Sequence, residues 1–389
     1  MSLKSFLNLP CCVLLLLVLV LCFGDYIPLT GKSNLYALSL LLKDFIICIL
    51  PGLIFSLVWS GILHLRDESM KVVLILVPLV CISNFLGMWM SYICTAPILD
   101  SGILTISELV QDNALSPAWQ IPIPRFMSND MALMFGFIFG IAGNFVKTPI
   151  LYIISQKLLK ITNFILKKVI CSSLPLFILG FIIKMQHEDS LMIVIKDYSK
   201  LLIIVGILAY GYMFAVMHFL LCGRKIRNTI EKFKNLIPGI MIGFFGMSSV
   251  AAIPSTIAGA KKNSENPDLV GFVIPAAGNM HLLGDCFALP IIGLAIMVSF
   301  GYGLPDIYHY FIFTMYGVLA KFAAAGIPGG SAIIFAPLFE NCFEFSAPML
   351  TAVTAIYILF DPVATSANVF GHGMFALLFE KVHGLLKRS

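Results

Sequence analysis

The sequence IYILFDPVATSANVFGHGMF, residues 356–375, combines a strongly apolar composition with four regularly spaced polar residues. Asp361, Thr365, Asn368 and His372 follow one another at helical spacing, so on an α-helix they project from one face. Charged and amide groups in hydrocarbon cost several kcal/mol each unless they face a partner, a ligand or water. Such residues are therefore functional candidates by default.

A structural interpretation of the same residues stays open. Asp361 followed by Pro362 is typical of the first turn of a helix, and Asn368 would also serve as a hydrogen-bond partner for a neighbouring helix. The stripe as a whole favours function, because transporters place their substrates at broken helices with polar groups at mid-membrane.

The composition of the whole chain indicates a multi-pass membrane protein. Hydrophobic residues make up 59% of the 389 and charged residues only 12%, which no soluble globular domain reaches. The net charge of +5 is divided among short loops, so we expect no nucleic-acid partner. The ten cysteines contain no CxxC pair and no metal-ligand spacing, so we predict no metal site and no cofactor.

The first half of the chain contains six apolar runs, each of which we predict to cross about 30 Å of hydrocarbon. The first, over residues 9–23, resembles a signal peptide in length but lacks a small-residue cleavage site, so we extend it towards Ile27 as a membrane segment. The other five cover residues 35–65, 72–99, 131–154, 161–184 and 191–222.

The distribution of Lys and Arg predicts that both termini are cytoplasmic, in the plasma membrane, or in the inner membrane if the cell is bacterial. In this orientation the outer loops hold little beyond Lys32, Arg125 and Lys184. The inner side then carries Arg66, Lys71, Lys157, Lys160, Lys167, Lys168, Arg224, Lys225, Arg227, Lys232, Lys234, Lys261, Lys262, Lys387 and Arg388.

From residue 236 onward, short runs of small and polar residues interrupt the apolar pattern. They are GMSSVAAIPST at 246–256, IPAAGNMHLLGD at 274–285 and AAAGIPGGSA at 323–332. Non-helical backbone at membrane depth is tolerated only where it lines a cavity or is buried in protein. We therefore predict two re-entrant hairpins and two interrupted helices, in the order hairpin, helix, hairpin, helix, as an internal repeat.

Three of these motifs resemble the dicarboxylate/amino acid:cation symporters of the glutamate-transporter type. SSVAAIPST at 248–256 is similar to the family's first hairpin tip, S-S-S-A-A-T-L-P-V-T, and AGIPGGS at 325–331 is similar to the second, A-G-V-P-G-G-S. DPVATSANVFGH at 361–372 aligns without a gap with D-M-G-R-T-M-V-N-V-T-G-D of the last helix. Weaker similarity at 121–146 and 174–183 extends the resemblance over nearly the whole chain.

The resemblance implies an all-α membrane protein with about eight transmembrane helices and two re-entrant helical hairpins. It also implies a homotrimer in which residues 1–235 form mostly scaffold and residues 236–389 form a transport domain that moves across the bilayer. Segments 161–184 and 191–222 would partly contact the transport domain, and the second hairpin would be the extracellular gate.

The resemblance further implies that Asp361 binds the substrate α-amino group. Asn368 and the tip serines Ser248 and Ser249 would bind the α-carboxylate. These residue types suit a zwitterion, which requires one acceptor carboxylate and several neutral donors. The full set of predicted substrate-binding residues is Asp361, Thr365, Asn368, Ser248, Ser249, Asp285, Gly329 and Ala364.

Two departures from the family pattern concern the substrate side chain. Ala364 stands where glutamate transporters carry the arginine that binds the distal carboxylate, and an ungapped alignment from Pro275 places Asp285 at a substrate-facing threonine. An acidic side chain would then be desolvated without a guanidinium partner. We therefore predict a neutral or cationic substrate side chain. Sodium- or proton-driven transport of glutamate, aspartate or a C4-dicarboxylate remains the alternative.

Two further departures concern the coupling ion. The ungapped alignment places 281–285, HLLGD, at the family's N-M-D-G-T, and His372 replaces the last sodium-binding aspartate; a shifted alignment matches Asn279 and Met280 but loses the glycine. Sodium prefers hard oxygen ligands. We predict weakened sodium binding, with His281, His372 and Asn368 as candidates for coupling H⁺ or Na⁺. Alternatively, each histidine only hydrogen-bonds a neighbouring helix.

Taken together, these residues predict a secondary active transporter, not an enzyme. The chain has no G-x-S-x-G motif and no ordered triad. Lys321, just before the second hairpin tip, is interpreted as a lysine that extends to the membrane interface or binds carbonyls. An ion channel with a pore lined by the hairpin tips remains an alternative class. We expect the lipid bilayer and a small-molecule substrate as the other partners.

Overall fold

A computed structural model describes residues 9–64, 70–101, 115–121, 123–124, 126–127, 129–146, 149–188, 191–323 and 329–386. Regular structure within these ranges is helical throughout. Several predicted features lie outside the described residues: Arg66, Arg125, Lys387, Arg388 and residues 324–328 of the second hairpin tip.

The first half forms α1 (Leu9–Phe23), α2 (Leu29–His64), α3 (Met70–Asp100), α4 (Asn129–Val146), α5 (Pro149–Phe164), α6 (Cys171–His187) and α7 (Leu191–Val216). A π-helical turn over Ile165–Ile170 joins α5 to α6. The predicted segment over 131–154 falls on α4 and α5, which the structure describes up to Val146 and again from Pro149.

The second half forms α8 (Ile226–Gly246), α9 (Ser249–Lys261), α10 (Pro267–Ala277), α11 (Leu283–Ser299), α12 (Ile307–Ala320), α13 (Gly330–Phe343) and α14 (Ala347–Leu386). Two pairs, α8 with α9 and α12 with α13, pack together as helical hairpins. By length and composition, the regions Leu74–Asp100, Lys196–Leu221 and Ala347–Leu386 are long and apolar enough to cross a membrane. The number of further crossings and the re-entry of the hairpins stay predictions.

The arms of the first hairpin, α8 and α9, approach closely because small residues face each other. A Cβ on Gly259 would overlap the backbone oxygen of Asn235, and a Cβ on Gly239 would lie 2.7 Å from Thr256 Oγ1. The turn between the arms places Met247 in the left-handed region at φ 47°, and Ser248 Oγ then accepts the N–H of Ala251 as the N-cap of α9. The small-residue run therefore forms a tight hairpin tip.

The backbone between α10 and α11, residues 278–282, is not α-helical, as predicted for this segment. Asn84 of α3 satisfies two of its polar groups. The Asn84 amide donates to Met280 O at 2.7 Å, and its oxygen accepts the N–H of Leu282 at 3.3 Å. The interruption is thus buried in protein, as backbone at membrane depth requires.

Replacing Asn84 with Leu is expected to destabilise the protein by about 1–3 kcal/mol, because two buried backbone groups lose their partner. Thermal unfolding of the purified protein in detergent measures the loss. Asn341→Leu is the control, because Asn341 is exposed on α13. Equal melting temperatures for the two variants would contradict the role of Asn84.

The prediction of an interruption in the last segment is wrong. α14 runs as one helix from Ala347 to Leu386 with Pro362 inside it. Asp361 therefore does not begin a helix, which removes the interpretation of Asp361 and Pro362 as a helix start. A proline costs one backbone hydrogen bond, but α14 also packs against α8, α9, α10, α11 and α13. This packing maintains the helix across the proline.

Contacts between the two halves involve more of the first half than the sequence indicated. α7 contacts α11 and α14, and α3 packs against α11, where Gly87 faces Leu283 and Cys286. α2 packs mainly against α4, α5 and α6, and it also contacts the 3₁₀ turn Lys321–Ala323 of the second half. The division into scaffold and transport domain at residue 235 stays a prediction, and α3 lies against the second half.

Candidate functional site

The centre of the second half is the contact between α11 and α14. Gly284 lies against the backbone of Ala364, and a Cβ on Gly284 would overlap the Ala364 carbonyl. This close approach brings Asp285 next to Asn368. The Asn368 amide donates to Asp285 Oδ1 at 2.8 Å and accepts the Asp285 N–H at 3.2 Å. The two hydrogen bonds between Asp285 and Asn368 therefore require a glycine at residue 284.

Asp285 is 1% exposed and contacts three other polar or charged side chains. Tyr357 OH of α14 donates to Oδ1 at 2.8 Å, and Ser331 Oγ of α13 donates to Oδ2. The ammonium nitrogen of Lys321 lies 3.7 Å from Oδ2. The carboxylate thus has one positive partner and three neutral donors, as a buried charge requires.

Asp361, 2% exposed, has a different set of partners. Thr365, one turn further along α14, donates to Oδ1 at 2.6 Å, and the backbone N–H of Gly329 donates to Oδ2 at 2.7 Å. Gly329 has φ 71°, a conformation that favours glycine, and is followed by the first turn of α13. Both donors are neutral, so the charge of Asp361 has no ion-pair partner among the described residues.

Lys321 is where the structure departs most from the sequence interpretation. Its side chain is fully buried, and its Nζ lies 4.2 Å from the centroid of the Phe335 ring. Among the described residues, Nζ has no hydrogen-bond acceptor. The prediction that Lys321 extends to the membrane interface is wrong, because the short 3₁₀ turn Lys321–Ala323 directs it towards Asp285.

Sequence analysis missed Lys321, Tyr357 and Ser331 as members of this cluster. Two signals were present. Tyr357 precedes Asp361 by four residues and so continues the polar face of α14 by one turn. Asp285 and Lys321 both occur in apolar surroundings, where each charge requires a partner of opposite sign.

The two predicted coupling histidines, His281 and His372, lie close together. His372 is on α14, one turn after Asn368, and His281 comes just before α11. The rings of His281 and His372 have centroids 6.5 Å apart, and His281 stacks on Phe375 at 4.2 Å. Nε2 of His281 hydrogen-bonds Ser83 Oγ of α3 at 2.9 Å. Nδ1 of His281 and both ring nitrogens of His372 have no partner within the described part of the chain.

The remaining predicted site residues are Ser248, Ser249 and Ala364. The two serines are at the first hairpin tip, where Ser248 caps α9 and Ser249 is buried. Just before the tip, Gly243 lies against the backbone of Thr365 and Ser366, so α8 packs beside the polar face of α14. Ala364 lies inside the α11–α14 contact and is fully buried.

These features define a class of protein: an apolar helical membrane protein with two helical hairpins and buried carboxylates in contact with the second of them. The family model for the sodium:dicarboxylate symporter family matches residues 9–382, and the chain belongs to this family. It is therefore a multi-pass membrane symporter, as the motif resemblance predicted. A search of curated proteins finds no match.

Proposed function

We propose that the protein is a secondary active symporter of a neutral amino acid or a related small zwitterion, with elevator-type alternating access. The observation that supports this most is Asp361, a buried carboxylate whose described partners are two neutral donors, one of them from the second hairpin. Movement of this hairpin away from α14 removes the Gly329 N–H from Oδ2 of Asp361. That oxygen is then free for the substrate ammonium group.

A binding site for the substrate carboxylate lies beside Asp361. The first turn of α13 begins at Gly330, and backbone N–H groups at a helix N-terminus favour anions. Asn368 adds an amide N–H nearby, because only one hydrogen bond from its NH₂ group goes to Asp285. A carboxylate acceptor for the ammonium and neutral donors for the carboxylate together fit an α-amino acid.

The charges of the cluster favour a neutral side chain for the substrate. Lys321 balances Asp285, so the negative charge that the sequence assigned to the distal pocket is largely compensated. Ala364 provides no guanidinium group for an acidic side chain. The single uncompensated charge is then that of Asp361, which the substrate ammonium balances.

A second candidate is symport of a dicarboxylate or of glutamate or aspartate. It is supported by the family description and by Lys321, whose ammonium group would attract a second substrate carboxylate. A channel receives no such support from the structure. The test below separates the two symport candidates.

The direct test is uptake of labelled solutes by the purified protein in liposomes. The panel contains neutral, cationic and acidic amino acids and C4-dicarboxylates, with proton and sodium gradients imposed separately. We expect saturable accumulation of a neutral amino acid driven by protons. Sodium-driven glutamate uptake without pH dependence would overturn both the proposed substrate and the proposed coupling ion.

We propose protons as the coupling ion because His281 and His372 form a buried pair with three ring nitrogens free of described partners. The carboxylate on the neighbouring helix α11 is Asp285, and it is already paired with Lys321. The oxygen of Asn368, the third candidate, already accepts the Asp285 N–H, which leaves it less available for sodium.

Replacing His372 with Gln is expected to remove most of the response of uptake to an imposed pH gradient, because one titratable group of the pair is lost. Initial rates are measured with and without an inward proton gradient. His309→Gln is the control, because His309 is exposed at the start of α12. An unchanged pH response in His372→Gln would exclude His372 as the proton carrier.

Homotrimeric assembly, cytoplasmic termini and a plasma-membrane location belong to this proposal. They are supported by family membership and by the distribution of Lys and Arg. The second hairpin as extracellular gate is supported by its contacts with both buried carboxylates.

A further inference from the structure

The second hairpin, α12 and α13 with the residues between them, contains a single Lys or Arg, and that residue is Lys321. Its ammonium group lies at the end of the α12 arm, and Ser331 lies at the start of the α13 arm. Both side chains meet the same oxygen of Asp285 on α11. The hairpin thus contacts this carboxylate from both arms.

The contact of Lys321 with Asp285 is electrostatic. At 3.7 Å the two atoms form an ion pair, and Nζ has no hydrogen-bond acceptor among the described residues. The centroid of the Phe335 ring lies 4.2 Å from the ammonium nitrogen, within the range of a cation–π contact. The ammonium group of Lys321 therefore contacts both a carboxylate and an aromatic face.

Closing the hairpin over Asp285 without a positive charge would bury an unpaired carboxylate, which is strongly unfavourable. In a cation-coupled symporter a diffusible cation can supply that charge. Here the hairpin carries the charge on its own side chain. The carboxylate is therefore balanced when the hairpin is closed, whatever ions the solution contains.

We infer that Lys321 acts as a tethered cation that replaces a diffusible sodium ion in closing the second hairpin over Asp285. The inference rests on the proposed symport function and deepens it, since it makes hairpin closure independent of sodium. Coupling to protons at the histidine pair is unaffected. Lys321 is in this sense a positioning residue for the hairpin.

Hydrogen exchange of residues 329–343 measures closure directly, because an open hairpin exposes the Gly329 N–H and the first turn of α13. For the unaltered protein, without substrate and at one fixed pH, we expect equal exchange in sodium chloride and in N-methyl-D-glucamine chloride. Exchange that is much slower in sodium than in the organic cation would overturn the inference without requiring any variant.

Three variants test whether the positive charge of Lys321 closes the second hairpin. In Lys321→Met we expect exchange of this segment to be at least about tenfold faster in the organic cation and to slow again when sodium is added. Lys321→Arg is expected to behave like the unaltered protein. The double variant Lys321→Met with Asp285→Asn removes both charges, and its exchange is expected to be slow in both salts.

Two outcomes for Lys321→Met would contradict the inference: exchange as slow as in the unaltered protein, or fast exchange that sodium does not slow. The second would make the ion pair a structural contact with no relation to a diffusible cation. Monodispersity in size-exclusion chromatography verifies folding. Liposome uptake is scored separately, so a failure of transport is distinguishable from a failure of this inference.

Discussion

Replacing Asp361 with Asn is expected to reduce amino-acid uptake by about 10- to 100-fold. The substitution keeps the size of the side chain and an acceptor for the Gly329 N–H, but it removes the charge that binds the substrate ammonium group. Hydrogen bonds to charged groups contribute roughly 1.5–3 kcal/mol, and each 1.4 kcal/mol changes affinity about tenfold. Initial uptake rates in liposomes over a range of substrate concentrations measure the effect.

Asp268→Asn is the matched control for this variant. Asp268 lies in the first turn of α10 and is exposed, so its loss is expected to leave uptake unchanged. Hydrogen exchange of α14 tests whether Asp361→Asn retains the fold. A well-folded Asp361→Asn protein with normal uptake would show that this carboxylate does not bind the substrate.

Replacing Gly284 with Ala is expected to cause the largest loss of stability. The new methyl group would overlap the Ala364 carbonyl and lie 2.9 Å from the Ala367 Cβ. Backbone atoms of two buried helices cannot move aside as a flexible side chain can, so overpacking costs at least about 1–3 kcal/mol here. We expect a lower melting temperature and a lower yield of monodisperse protein, together with weaker uptake because Asp285 and Asn368 are displaced.

Gly211→Ala provides the comparison, because it makes the same chemical change inside α7, where no described atom beyond the neighbouring backbone of α7 lies within 4 Å of the added Cβ. Alanine is favoured over glycine in a helix interior by about 1 kcal/mol, so this variant is expected to melt at or above the temperature of the unaltered protein. If Gly284→Ala melts equally high, the close α11–α14 contact is not present in solution.

The sequence predicted the helix that carries the site, because the polar stripe of residues 361–372 has helical spacing. It also predicted the first hairpin and the break before α11, where small and polar residues interrupt apolar runs. The pairing of Asp285 with Asn368 was not predictable from spacing. It depends on how closely α11 approaches α14, and that approach is set by Gly284 and Ala364 together.

Two errors have physical causes. Pro362 suggested an interruption of the last helix, but packing against several neighbouring helices, α7, α8 and α11 among them, supports α14 through it. Lys321 was assigned to the interface because lysines near membrane helix ends commonly extend there. Its direction is set by a single 3₁₀ turn, which has no clear sequence signal, and its partner lies 36 residues earlier in the chain.

The central claim is that Asp361 and the donors around it bind both charged groups of a zwitterion. The most direct measurement is competition for uptake of a labelled neutral amino acid by three unlabelled compounds: the same amino acid, its analogue without the amino group, and its analogue without the carboxylate. We predict that only the intact amino acid competes at comparable concentration. Equal competition by the analogue without the amino group would contradict the account, because that compound has nothing for Asp361 to bind.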